Sequence, residues 1–228
     1  MITWTLIAIY GISFLYAWVL TQMRLHTAVF SNSVLYNHPN VNSFEERKPL
    51  IFFNIATIFA VAIAIGGLIN FMFTFSLDIP WWSVALQICF MALMDDLWFY
   101  FAHRLLHENE FLFRHVHSIH HRVRSTLPLD YIYVHPFEWM FGGFGIPLAC
   151  IILYFAFGPI SVYAFFMFAI FKVLHEINIH SGVPSWCLER HPLKFLGSSE
   201  HHGNHHYKVK GNYASSFKHM DKVLKTDL

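Results

Sequence analysis

Three groups of histidines dominate the reactive side chains of this sequence: His103 with His107, His117 with His120 and His121, and His202 with His205 and His206. Imidazole is the commonest protein ligand for metals. Residues at i, i+3 and i+4 share one face of a helix, so each group is expected to aim its rings in one direction. Eight nitrogens converging from three helical turns can hold two metal ions. The pattern H-x-x-H-H occurs twice, at 117–121 and 202–206, and every histidine except His26 and His38 follows residue 100.

The remaining histidines differ by position. His180 closes Leu174-His-Glu-Ile-Asn-Ile-His-Ser-Gly182, where an apolar run meets a helix-stopping glycine, and is expected as a ninth ligand. His175 lies five residues earlier, about 140° away around a helix, and is expected as a tenth ligand or as an outer partner of one. His135 precedes a proline and His201 lies off the face of its neighbours; both stay open as ligands. His26, His38, His115, His191 and His219 match no doublet or triplet and are expected to be ordinary polar residues near lipid headgroups.

Asp96, Tyr100, His103 and His107 follow one another at +4, +3 and +4 and form a stripe on one helix. A ligating imidazole usually gives its outer N–H to a carboxylate or carbonyl, so Asp96 is expected behind the first histidine pair, with Tyr100 as a second catalytic residue. Asp95 faces elsewhere. Imidazole ligation without thiolate suits zinc, copper, nickel or iron, and eight to ten histidines exceed the four ligands of a closed structural zinc site. Cys89, Cys150 and Cys187 are odd in number and far apart, which suggests neither a disulfide frame nor a thiolate site.

The elements that position these groups must be apolar. Of 228 residues, 56% are hydrophobic and 13% charged, far more apolar than the roughly 45–50% of a soluble domain. Apolar runs at about 2–23, 50–76, 80–102, 140–157 and 160–179 approach the roughly 20 residues of a spanning helix. The expected fold is an all-α integral membrane bundle of four to five spans with a histidine-rich catalytic cap. Gly158-Pro159 leaves open whether the last two runs cross or re-enter. Residues 1–79 are expected to be a membrane anchor region and 80–228 the catalytic region of one integrated domain. The first run lacks a basic start and a small-residue cleavage site, so it is read as an uncleaved span.

Placing the 24–49 loop inside puts all 15 Lys and Arg on one side of the membrane, the cytoplasmic one by the positive-inside rule. All three histidine groups fall on that same side. Pro80-Trp-Trp82 would mark the outer interface and Trp139 and Trp186 the inner one. The final Lys-Thr-Asp-Leu resembles a luminal retention signal, but this topology puts it on the wrong side. A net charge of +1 gives no sign of nucleic-acid binding.

In its motifs the chain resembles the fatty acid hydroxylase superfamily of membrane di-iron oxygenases, and within it the 4-methylsterol monooxygenases and sterol desaturases. The residues that carry the resemblance are His103-Arg-Leu-Leu-His107, Phe113-Arg-His-Val-His-Ser-Ile-His-His121, His135-Pro-Phe-Glu138, His180-Ser-Gly182 and His201-His-Gly-Asn-His-His206, closing with Gly211-Asn-Tyr-Ala-Ser-Ser-Phe217. Gly203 and Asn204 stand where the sterol enzymes usually have an acid and an aromatic, which bears on the substrate rather than on the ligands. The resemblance implies two iron ions held by His103, His107, His117, His120, His121, His180, His202, His205 and His206, with His175 as a tenth. It also implies dioxygen as co-substrate and a sterol or related lipid as substrate. A fatty-acid or sphingolipid hydroxylase, or a desaturase, would use the same ligands.

No His-Pro-Gly-Gly of a fused haem domain occurs. Electrons are therefore expected from a separate donor: cytochrome b5 or a reductase in a eukaryotic endoplasmic reticulum, a ferredoxin at a bacterial inner membrane. A zinc transporter or sensor, the reading from another class, should place its polar ligands near the bilayer midplane. Here they gather at one surface.

Overall fold

The computed structural model describes residues 2–28, 34–36, 39–185, 188 and 192–228; His38, Trp186, Cys187, Arg190 and His191 lie outside them. Five stretches are long and apolar enough to cross a membrane: α1 (Ile2–His26), α2 (Phe44–Leu68), α3 (Trp81–Glu108), the pair α5 (Pro136–Gly142) and α6 (Gly145–Phe157), and α7 (Val162–Ile179). Their outward faces carry large apolar side chains, with Ile12 70%, Leu93 57% and Phe155 82% exposed. Such a surface needs lipid rather than water around it. The protein is an integral membrane bundle of helices.

Two boundaries differ from the apolar runs. The second helix begins at Phe44 rather than at residue 50, because Ser43 and Glu46 form a reciprocal capping box with the first-turn amides. It ends at Leu68, and the rest of the run becomes a 3-10 turn (Asn70–Met72) and a two-residue strand β1 (Phe73–Thr74). This strand pairs in parallel with β2 (Ile160–Ser161), Phe73 opposite Ile160. The α2–α3 connection and the Gly158-Pro159 turn thus meet at the end of the bundle remote from the histidines.

At 28 residues, α3 is about 42 Å long, against a hydrocarbon core of about 30 Å. Its last turns, carrying His103 and His107, therefore extend past the apolar layer. α6 crosses α3 at Gly145, where a Cβ would stand 2.7 Å from the Asp95 Cα. Any side chain there would push the helices apart.

Everything else forms the cap: α4 (Glu110–His115), 3-10 turns at His117–Arg122 and Pro128–Ile132, α8 (Ser199–Lys208) and α9 (His219–Val223). α2 fastens part of it. The Asn54 amide donates to the carbonyls of Ile132 and Val134 at 3.0 and 2.8 Å, and buried Arg47 pairs with buried Asp130 at 2.6 Å.

Candidate metal centre

Nine histidines meet at one end of the bundle, in two groups within each of which the ligand atoms lie within 4.8 Å of one another. The first group is His103, His107, His117, His121 and His205; the second is His120, His180, His202 and His206. The groups adjoin, with the rings of His121 and His206 5.0 Å apart.

The expectation that each sequence cluster faces one way holds for His103 and His107 and fails for both H-x-x-H-H triplets. His117 and His121 join the first group while His120 turns to the second; His202 and His206 join the second while His205 turns to the first. Adjacent residues on a helix point about 100–120° apart. An adjacent pair of histidines can therefore serve two sites from one short element, which gives the doubled H-H its purpose.

Main-chain carbonyls orient most of the rings. Nδ1 of His103 donates to the Tyr213 carbonyl at 2.8 Å, that of His205 to Gly211 at 2.7 Å, and that of His206 to Val123 at 2.7 Å. His120 donates to Tyr133 at 3.2 Å and His180 to Glu176 at 2.8 Å. His117 Nδ1 lies 2.8 Å from the Glu138 carboxylate. A carbonyl can only accept, so these Nδ1 atoms carry the proton and their Nε2 atoms present lone pairs.

Those lone pairs converge. His103 Nε2 is 3.2 Å from that of His117 in the first group, and His180 Nε2 is 3.5 Å from that of His120 in the second. Nitrogen lone pairs this close repel unless a cation lies among them. Burial, reinforced by neighbouring imidazoles, holds His117, His121, His202, His205 and His206 well below the ordinary histidine range and His120 down to about 3. The rings are neutral at pH 7, as ligands must be. On both counts the donor set fits metal ions.

Five sequence candidates stand outside both groups. Asp96 does not back a ligating imidazole: its Oδ1 accepts the Phe217 amide at 2.9 Å, and Oδ2 is 3.8 Å from His219 Nδ1. Seven residues separate it from His103, about 10 Å along the helix, so cap carbonyls take the role expected of it. Tyr100 shares a hydrogen bond with Thr226 at 2.8 Å and packs edge-on to Tyr213, holding the cap rather than facing the ligand nitrogens. His175, expected as a tenth ligand, belongs to neither group; its Nε2 contacts the Ser215 carbonyl at 3.2 Å instead. His135 caps α5 by accepting the Phe137 amide, and His201 sits 3.2 Å from Asp221; neither is a ligand.

Four functional residues lay beyond the reach of spacing rules. Glu138 was visible in the His-Pro-Phe-Glu block but had no stated partner. Lys172 bridges Asp95 and Glu176 at 3.0 Å each, deep between α3 and α7, and Glu176 supplies the carbonyl for His180. Asp221 accepts the amides of Tyr213 and Ala214 at 2.8 and 3.0 Å, holding the segment that orients His103 and His205. At Gly203 a Cβ would come within 2.6 Å of the Tyr36 ring, so only a residue without a side chain lets Tyr36 pack this closely against α8.

The family model for fatty acid hydroxylase matches residues 88–226. Methylsterol monooxygenase erg25B of Aspergillus fumigatus is 34% identical over 160 residues, covering 68% of this chain and 53% of the relative. Methylsterol monooxygenase 1 of Gallus gallus is 31% identical over 66% of this chain and 49% of its own length. Very-long-chain aldehyde decarbonylase GL1-11 of Oryza sativa subsp. japonica is 31% identical over 206 residues, 87% of this chain and 75% of the relative. The chain spans about half the length of the methylsterol monooxygenases it matches. No solved structure matches. The matched region carries all nine converging histidines, and the chain belongs to the fatty acid hydroxylase family.

Proposed function

We propose that the protein is a membrane-bound di-iron oxygenase that uses dioxygen and an external reductant to hydroxylate a C–H bond of a sterol or related lipid, a 4-methylsterol foremost. The observation that carries this reading is the pair of adjoining groups of neutral, lone-pair-bearing imidazoles at one end of an apolar bundle. Iron bound by His103, His107, His117, His121 and His205, and by His120, His180, His202 and His206, would supply reductive activation of dioxygen. In the overall balance one oxygen atom enters the C–H bond and the other leaves as water, consuming two electrons and two protons.

The chain's own residues do the rest. Carbonyls of Val123, Tyr133, Glu176, Gly211 and Tyr213 keep the proton on Nδ1 and fix each ring. The burial of eight of the nine rings excludes water, and His107 alone is partly exposed. Exposed Arg114, Arg122, Arg124, Lys208 and Lys210 surround that side of the cap and would steer an acidic one-electron carrier such as cytochrome b5 or a ferredoxin. The same basic residues favour a cytoplasmic cap by the positive-inside rule, which would lie at the endoplasmic reticulum of a eukaryote or the inner membrane of a bacterium.

A second reading has its own support. The rice protein named as a very-long-chain aldehyde decarbonylase aligns over more of this chain than the sterol enzymes do, which favours a long-chain substrate with the same ligands. Metal analysis of detergent-purified protein, with lipid mass spectrometry of cells with and without the gene, tests both. Iron with a change in 4-methylsterols supports the first and iron with a change in long-chain lipids the second; zinc without lipid change overturns both.

A further inference from the structure

One face of α1 carries Thr5, Ile9, Ile12, Tyr16, Leu20 and Arg24 at steps of three and four, and it borders a cavity of about 690 Å³. The opposite wall is α7, with Ile170, Leu174 and Ile177. That volume suits a ligand of lipid size. Apart from Thr5 and Ser13 on α1, the walls along the span are apolar, with Ile12, Tyr16, Ile170 and Leu174 open to the outside. Polar groups collect at the inner end, where Arg24, Asn178 and Ser181 line the cavity. Arg24 Nε donates to the Ser181 carbonyl at 3.3 Å, and among the described residues no carboxylate pairs with its guanidinium. Ser181 directly follows His180, a member of the second histidine group.

An apolar trough closed at one end by an unpaired cation fits a lipid with a single oxygen-bearing head. The geometry points to this seam as the seat of the substrate lipid, its body between α1 and α7 and its hydroxyl or carboxylate oxygen at Arg24. This rests on the lipid-oxygenase reading and deepens it. Because the polar end lies one residue from His180, the oxidised carbon is within a few bonds of the head, not at the far end of the apolar body. The C–H bond and the O–O bond of dioxygen break, a C–O bond forms, the second oxygen atom leaves as water with two protons, and the two electrons come from the external carrier named above.

Full-length protein in phosphatidylcholine nanodiscs is irradiated with a diazirine-bearing sterol, a diazirine-bearing fatty acid, or a diazirine-bearing phosphatidylcholine, and adducts are mapped by peptide mass spectrometry. Adducts of the sterol or fatty acid should concentrate in 5–24 and 170–183. Ile12→Trp fills the trough without touching the core, since Ile12 is 70% exposed, and should cut labelling about tenfold. Arg24→Gln removes a charged donor and should cut it about ten- to a hundredfold. Iron content should match the wild type in both. Labelling spread over all lipid-facing helices, unchanged in both variants, or equal for phosphatidylcholine would overturn the proposal, as would a product oxidised far from the head. Normal iron and turnover with an unlabelled seam sinks the seam alone, whereas a labelled seam in a protein that takes up no iron sinks the oxygenase reading instead.

Discussion

The two histidine groups share α8 and the 117–122 turn but are held by different parts of the molecule. The group of five takes its outer hydrogen bonds from residues 211 and 213 of the C-terminal cap and from Glu138, and it is partly open at His107. The group of four is wholly buried and leans on Val123, Tyr133 and Glu176, which α2 and α7 support from within the bundle. One site is therefore latched by the tail and by Glu138 of α5, the other by α7 and by the 123–133 segment that α2 fastens. The open edge of the first suits arrival of electrons, and the position of the second, beside the α1–α7 seam, suits arrival of lipid.

Substitutions can separate the two supports. The largest effect should come from removing a ligand: His205→Ala should empty the group of five and abolish turnover, and His206→Ala should do the same to the group of four, with metal analysis reporting which site is lost. Normal turnover in either would contradict the grouping. Next comes the tail latch. Asp221→Asn should weaken metal retention at the group of five by about 10–100-fold and leave the group of four loaded; equal losses at both would mean that the supports are shared.

Asp221 also sets a pH dependence. Burial raises its pKa, but His201, the amides it accepts and Thr226 outweigh that and hold it below the usual carboxylate value of 3.8. Its contribution to stability is then present above about 3.8 and lost only as pH falls through the lowered folded value. Thermal unfolding in detergent should show Asp221→Asn less stable than wild type at pH 7, the gap closing only in strong acid. A gap that closes near pH 6 would contradict the latch.

Asn54→Ala probes the other support and should have a smaller effect. It leaves two buried carbonyls short of a donor, at a cost of about 1–3 kcal/mol, and should loosen the Tyr133 carbonyl behind His120 while sparing the group of five. The smallest effect belongs to His115→Ala, an exposed ring whose hydrogen bond and ring contact among the described residues are to Phe111 of its own helix; iron content and stability should not move.

The nine converging histidines were legible because metal binding demands particular residue types at helical spacing, and all nine lie in local patterns. Their division was not, since the direction in which His120 or His205 turns depends on how the 117–122 turn and α8 dock. The start of α2 was also written in the sequence, as Ser43 and Glu46 at capping-box spacing, but the apolar run drew the boundary to residue 50. Asp96 was misjudged because an acid in a span implies a partner without naming it, and the partner, the Phe217 amide, is 121 residues away. The Lys172, Asp95 and Glu176 network joins residues from two spans, so local periodicity could show each charge but not their meeting.

The most direct test of two separately supported metal sites is iron counted per chain in purified wild type, His205→Ala and His206→Ala. The proposed di-iron reading predicts two irons in the wild type and one in each variant. A wild type that holds one iron, or zinc in place of iron, or variants that keep both metals would contradict it.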